Sequence, residues 1–219
     1  MNGSTGITSI SQTILTPSSR YNKGEIPRDR SPMVQAPVEK LTLDAFLSMP
    51  ETKPASEFID GKIIQKPMPQ TRHGRIQLKL AVAINEALED KKIASAFPEL
   101  RCTFGGRSIV PDIGVLTWER LPLDEDHKLD DTFKGHPDWA IEILSPQQNA
   151  TKVVKKLFHS LEYGTQMGWL IIPEDSSIMV CPKGKQPQIF EEEKQVLPVP
   201  AFAEAVRLTH GDVFGWLQY

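Results

Sequence analysis

Two carboxylates stand where the sequence otherwise places apolar residues. Glu142 interrupts the run Trp139-Ala140-Ile141-Glu142-Ile143-Leu144, and Asp112 interrupts Ile109-Val110-Pro111-Asp112-Ile113-Gly114-Val115-Leu116. A charged side chain among aliphatic neighbours costs several kcal/mol unless it is paired, protonated or bound to a cation. Alternation along an extended chain puts Ala140, Glu142 and Leu144 on one face and Trp139, Ile141 and Ile143 on the other. If the two strands are neighbours, both carboxylates reach one site. They would then repel unless a cation lay between them, and Mg2+ accepts one or two carboxylates while keeping several waters. That is the outline of a hydrolytic metal site. Taken singly, each carboxylate is equally well answered by an Arg or Lys salt bridge or by a turn hydrogen bond.

The elements that would position these groups are legible from periodicity and turn signals. Thr42 is placed to cap a short helix carrying Leu43, Phe46 and Leu47, which Pro50 and Pro54 end. Glu57 to Ile64 reads as a hairpin turning at Asp60-Gly61. Residues 73–90 place Ile76, Leu80, Ala83, Ile84 and Ala87 at helical spacing. Residues 93–118 read as strands around Gly105-Gly106, with Asp112 inside the last of them, and Trp139 to Leu144 reads as a central strand covered on both faces. A second long helix over 150–163 is predicted to bury Val154, Leu157, Phe158 and Leu161 and to end at Gly164. Trp169 to Ile172 is a further buried strand with antiparallel neighbours at 177–180 and 188–190, and Thr209 or Asp212 caps a closing helix. The fold class is α/β, a mixed β-sheet flanked by helices.

Composition narrows the setting. The 25 lysines and arginines against 28 aspartates and glutamates give a net charge of −3, which excludes a polybasic nucleic-acid coat. No run approaches the ~18 apolar residues of a membrane span, and the start of the chain lacks the basic and apolar regions of a secretory signal, so the expectation is cytoplasmic, with no membrane partner. Cys102 and Cys181 have no metal-ligand spacing. Residues 1–39, rich in Ser, Thr, Gly and Pro, read as a flexible tail before a domain over 40–219. Positive charge has to be local: Lys62, Lys66, Arg72, Arg75 and Lys79 outnumber Glu57 and Asp60 and form a candidate phosphate track, to which Lys152 and Lys155 add.

Pro111-Asp112 followed by Glu142 one loop and one strand later resembles the PD-(D/E)xK nuclease motif. Over about residues 41–218 the chain resembles the Uma-two family of restriction endonucleases in that superfamily. The pieces are Leu41-Thr42-Leu43, Glu57-Phe58-Ile59-Asp60-Gly61, His73, Pro111-Asp112-Ile113, Glu142-Ile143-Leu144-Ser145-Pro146, Lys156, Gly164 and Trp169-Leu170, in that order. The resemblance implies a restriction-endonuclease-like fold and hydrolysis of DNA phosphodiester bonds with Mg2+, or Mn2+ in its place. It implies catalytic roles for Glu57, Asp112, Glu142 and Lys156, and a metal held by Asp112, Glu142 and the carbonyl of Ile143. From the local charge surplus Arg72, Arg75, Lys79, Lys152 and Lys155 are the candidate DNA contacts; His73 either joins them in contacting phosphate or handling a proton, or bonds a nearby loop from the head of its helix; and by analogy a homodimer is expected. Leu144 stands where the textual motif has its lysine, so Lys156 takes that part, with Lys152 and Lys155 competing for it. The alternative is a catalytically inert nucleic-acid- or protein-binding module on the same fold.

Overall fold

The protein is described from a computed structural model over residues 41–146 and 148–218. The expected tail at 1–39 lies outside the described residues. The chain runs α1 (Leu43–Leu47), β1 (Ser56–Ile59), β2 (Lys62–Gln65), α2 (Thr71–Leu88), β3 (Ala94–Pro98), β4 (Cys102–Phe104), β5 (Arg107–Ile109), β6 (Ile113–Thr117), β7 (Trp139–Ile143), α3 (Ala150–Tyr163), β8 (Met167–Ile172), β9 (Ser177–Pro182), β10 (Gln188–Phe190) and α4 (His210–Gly215). Where one mixed sheet was expected there are two sheets. Four strands are ordered β2-β1-β5-β4, and six are ordered β10-β9-β8-β7-β6-β3. Among the described residues only β7 and β8 pair in parallel, and α3 is the crossover between them.

Local chemistry explains the main elements. Asp60 and Gly61 both take left-handed backbone angles, with φ of 52° and 77°, as a two-residue hairpin turn requires. Asn149 caps α3 by accepting the Lys152 N–H, and Gly164 ends it at φ 133°. Thr209 and Asp212 close a reciprocal capping box on α4.

The six-stranded sheet is covered on both faces. Trp139, Ile141 and Ile143 pack with Ile76, Leu80 and Ile84 of α2 and Val213 and Phe214 of α4. On the opposite face Ala140 and Leu170 meet Val153 and Leu157 of α3. Glu142 therefore faces α3, the side that strand parity assigns it.

Two expectations need correction. Asp112 is not inside a strand: pairing stops at Ile109 and resumes at Ile113, and Val110-Pro111-Asp112 is the corner where the chain passes from the smaller sheet to the larger. Proline has no N–H for a ladder, so the strand breaks there and the carboxylate is aimed by a bend. The buried face of α3 is also rotated from the expected stripe. Val153, Lys156, Leu157, His159 and Ser160 are buried, whereas Phe158 is 47% exposed. Apolar spacing alone misplaces this helix because its buried face includes a lysine that finds its counter-charges inside.

Candidate active site

The register explains how the carboxylates meet. Ile113 pairs with Ile141 across β6 and β7, so the next positions outward are Asp112 and Glu142. Glu57 arrives from β1, whose pairing with β5 brings it beside the same corner, and its Oε1 accepts the Val110 N–H at 2.9 Å. Lys156 reaches in from α3, with Nζ 2.8 Å from Glu57 Oε1 and 3.0 Å from Glu142 Oε1. Glu57, Asp112, Glu142 and Lys156 are all buried. The helical-wheel position of Lys156 leaves its aim open, and the rotated face of α3 is what directs it to the cluster.

Asp112 is held on both oxygens. Its Oδ2 accepts the Ile143 N–H at 2.6 Å, and its Oδ1 accepts Lys66 Nζ at 2.6 Å. Because a residue's N–H and C=O point to the same side of an extended strand, the Ile143 carbonyl is also on the Asp112 side of β7. His73, in the first turn of α2, lies with Nδ1 3.3 Å from Ser145 Oγ and Nε2 3.4 Å from Asp112 Oδ1. The buried Nε2 is not aligned for a hydrogen bond with Asp112 and has no other partner among the described residues. Gln77, one turn further along α2, donates to the Asp112 backbone carbonyl at 2.8 Å.

These contacts set the proton affinities. Burial pushes the Glu142 carboxyl up to about 7; Lys156 opposes that rise and Asp112 adds to it. Burial acts to raise Asp112 too, but Lys66 and His73 outweigh it and hold its carboxyl well below the usual carboxylate range. Burial acts to lower Lys156, yet Glu142 and Glu57 more than reverse this and keep the ammonium protonated.

The remaining expected DNA-contacting residues lie on α2 and α3. Arg72, Lys152 and Lys155 are exposed, Lys79 is half-buried, and Arg75 donates to the Trp216 carbonyl at 3.2 Å. Arg72 and His73 line a cleft of about 560 Å3 together with Leu144, Pro146, Pro173 and Glu174; Glu57, Asp112, Glu142 and Lys156 are not among its lining residues, and His73 is its link to Asp112. A cavity of about 580 Å3 beneath α1 holds none of them. Lys66 is the residue that sequence reasoning misplaced: expected on a surface phosphate track, it is buried on Asp112. Nothing local distinguishes it from Lys62. Its position follows from the β1–β5 pairing, which carries the Val110–Asp112 corner to it.

A buried cluster of three carboxylates and two lysines, at the ends of adjacent strands under a crossover helix, belongs with the restriction-endonuclease-like nuclease folds. The chain is a member of the Uma2 family, whose model, described as "putative restriction endonuclease", matches residues 43–210. It is also similar to a solved structure titled as a "putative nuclease belonging to DUF820" from Anabaena variabilis ATCC 29413. That likeness has 50% identity and a TM-score of 0.80, and covers 81% of this chain and 99% of that one. No curated protein matches. Among the described residues no helix is long and apolar enough to cross a membrane.

Proposed function

We propose that the protein is a metal-dependent endonuclease that hydrolyses DNA phosphodiester bonds. The observation that carries this reading is the convergence of Glu57, Asp112, Glu142 and Lys156 in one buried cluster, three of them delivered by different strands or corners and the fourth by α3.

The residues fit a hard divalent cation. Three ionised carboxylates against two ammonium groups leave a buried negative charge, and His73 Nε2, with no aligned hydrogen bond among the described residues, lies 3.4 Å from Asp112 Oδ1. Among the described residues no three His, Cys, Asp or Glu side chains form a ready-made metal cluster. In this reading the ligand set is Asp112, Glu142 and the Ile143 carbonyl, completed by solvent, as Mg2+ or Mn2+ accepts. When bound, the ion lowers the pKa of water and offsets charge developing on the phosphate.

The chain's own groups do the rest. Glu142 and Glu57 favour the charged form of Lys156, which suits it to orient the attacking water and offset phosphate charge. Glu57 positions Lys156 and ties it to the Val110 corner. Arg72, Arg75, Lys79, Lys152 and Lys155 supply phosphate contacts, with His73 lining the cleft. A two-fold homodimer, in which each copy cuts one strand, is part of this reading by analogy.

Plasmid nicking in Mg2+ or Mn2+ tests it: the parent chain cuts, and Asp112→Asn and Glu142→Gln lose at least about a hundredfold in rate, the scale on which metal and electrostatic catalysis is lost. Variants that cut as fast as the parent would overturn the assignment.

A further inference from the structure

We infer that Lys66 is a tethered counter-ion, which occupies Asp112 while no divalent ion is bound and must leave its Oδ1 for the ion to bind. The inference rests on the metal-dependent reading above and concerns a residue that reading does not use.

The two buried lysines are placed differently. Lys156 bridges Glu57 and Glu142. Lys66 puts its Nζ 2.6 Å from Asp112 Oδ1 and 2.8 Å from the Val110 carbonyl, on the oxygen that also faces the unpartnered His73 Nε2. A cation shared by Asp112 and Glu142 is drawn to the same carboxylate and repelled by the ammonium. Lys66 is 8% exposed and Asp112 and Glu142 are each 2% exposed, so solvent does little to screen that repulsion.

Charge counting gives the same answer. With Lys66 in place and all three carboxylates ionised, the cluster carries one net negative charge, half of what a divalent ion balances. With its ammonium withdrawn, Glu57, Asp112, Glu142 and Lys156 leave two negative charges, which one divalent ion balances.

The movement asked of Lys66 is confined to its side chain. Its backbone N–H is fixed to the Ala55 carbonyl at 2.9 Å, so the residue itself stays put. Its flexible four-carbon stem begins immediately after β2, and the following residues 67–70 are exposed and lie outside helix and strand. The Val110 carbonyl is a second acceptor that remains when Asp112 is given up.

Calorimetric titration of the full chain, stripped with EDTA, with Mg2+ and with Mn2+ tests this on the parent, Lys66→Met and Lys66→Arg. Removal of the competing charge is expected to tighten metal binding in Lys66→Met by about tenfold or more. The Arg fork grips a carboxylate in bidentate fashion, so Lys66→Arg is expected to bind metal about threefold more weakly. Melting in EDTA should be lower for Lys66→Met than for the parent, with saturating metal closing the gap. Through-space repulsion without displacement predicts parental affinity for Lys66→Arg, and that result overturns the inference, as does parental affinity for Lys66→Met. If Lys66→Met fails to fold, the Arg variant decides alone. A parent that binds metal with both variants unchanged removes only this inference, whereas a parent and variants that all fail to bind remove the metal reading as well.

Discussion

Glu142→Gln should abolish a specific pH dependence of stability. In the metal-free chain the Glu142 carboxyl is raised from its ordinary 4.5 to about 7, chiefly by burial. Across that window the folded chain retains a proton that the unfolded chain has released, so folding stability is fully present below pH 4.5 and is lost as pH rises through 7. One pH unit of such differential protonation is worth ~1.4 kcal/mol. From pH 4.5 to 7 the decline attributable to this one group is therefore about 3 kcal/mol. Glutamine keeps the shape and the contact with Lys156 but has no proton to release. Titrating groups outside the cluster are common to both proteins and cancel in the difference, whereas Asp112 and Lys156 titrate together with Glu142, so the direction of the difference is what decides the test. Urea unfolding in EDTA at pH 5, 6, 7 and 8 should show the parent losing stability relative to Glu142→Gln by that amount, most of it below pH 7. Saturating Mg2+ should flatten the parent curve, because a bound cation favours the ionised carboxylate. Parallel curves for the two proteins in EDTA would refute the argument.

The other predictions are more direct. Lys156→Met leaves three carboxylates facing Lys66 alone and should cost about 3 kcal/mol of stability, the scale for breaking one side of a buried ion pair, while abolishing plasmid nicking. Gly105→Ala should lower stability by about 1–3 kcal/mol in thermal melts without removing cleavage. The residue sits at φ +57°, and a Cβ there would come within 2.5 Å of the Tyr163 ring. Lys152→Ala combined with Lys155→Ala should reduce the slope of log affinity against log salt for DNA by about 2, measured by fluorescence anisotropy, and an unchanged slope would remove these lysines from the phosphate track.

Much of the fold is legible in the sequence because the signals are local. The Asp60-Gly61 turn, the Gly164 cap and the Thr209–Asp212 box each follow from neighbours a few residues away. The carboxylates are legible for a different reason: Asp112 and Glu142 break apolar runs, and a broken run has to be answered by charge. What is not legible depends on contacts distant in the chain. Phe158 and Lys156 exchange their expected places because α3 packs with its lysine toward Glu57, 99 residues earlier. Lys66 looks like any surface lysine until β5 delivers Asp112, 46 residues later. Pro111 marks the bend, but only the two-sheet architecture shows that the bend is a passage from one sheet to the other.

Crystals of the full chain grown with Mn2+, with anomalous diffraction recorded at the manganese edge, test the central claim most directly. The account predicts one strong peak within coordination distance of an Asp112 oxygen, a Glu142 oxygen and the Ile143 carbonyl, with Lys66 Nζ withdrawn from Asp112. A fully loaded crystal with its only manganese elsewhere, and with Lys66 still on Asp112, would contradict it.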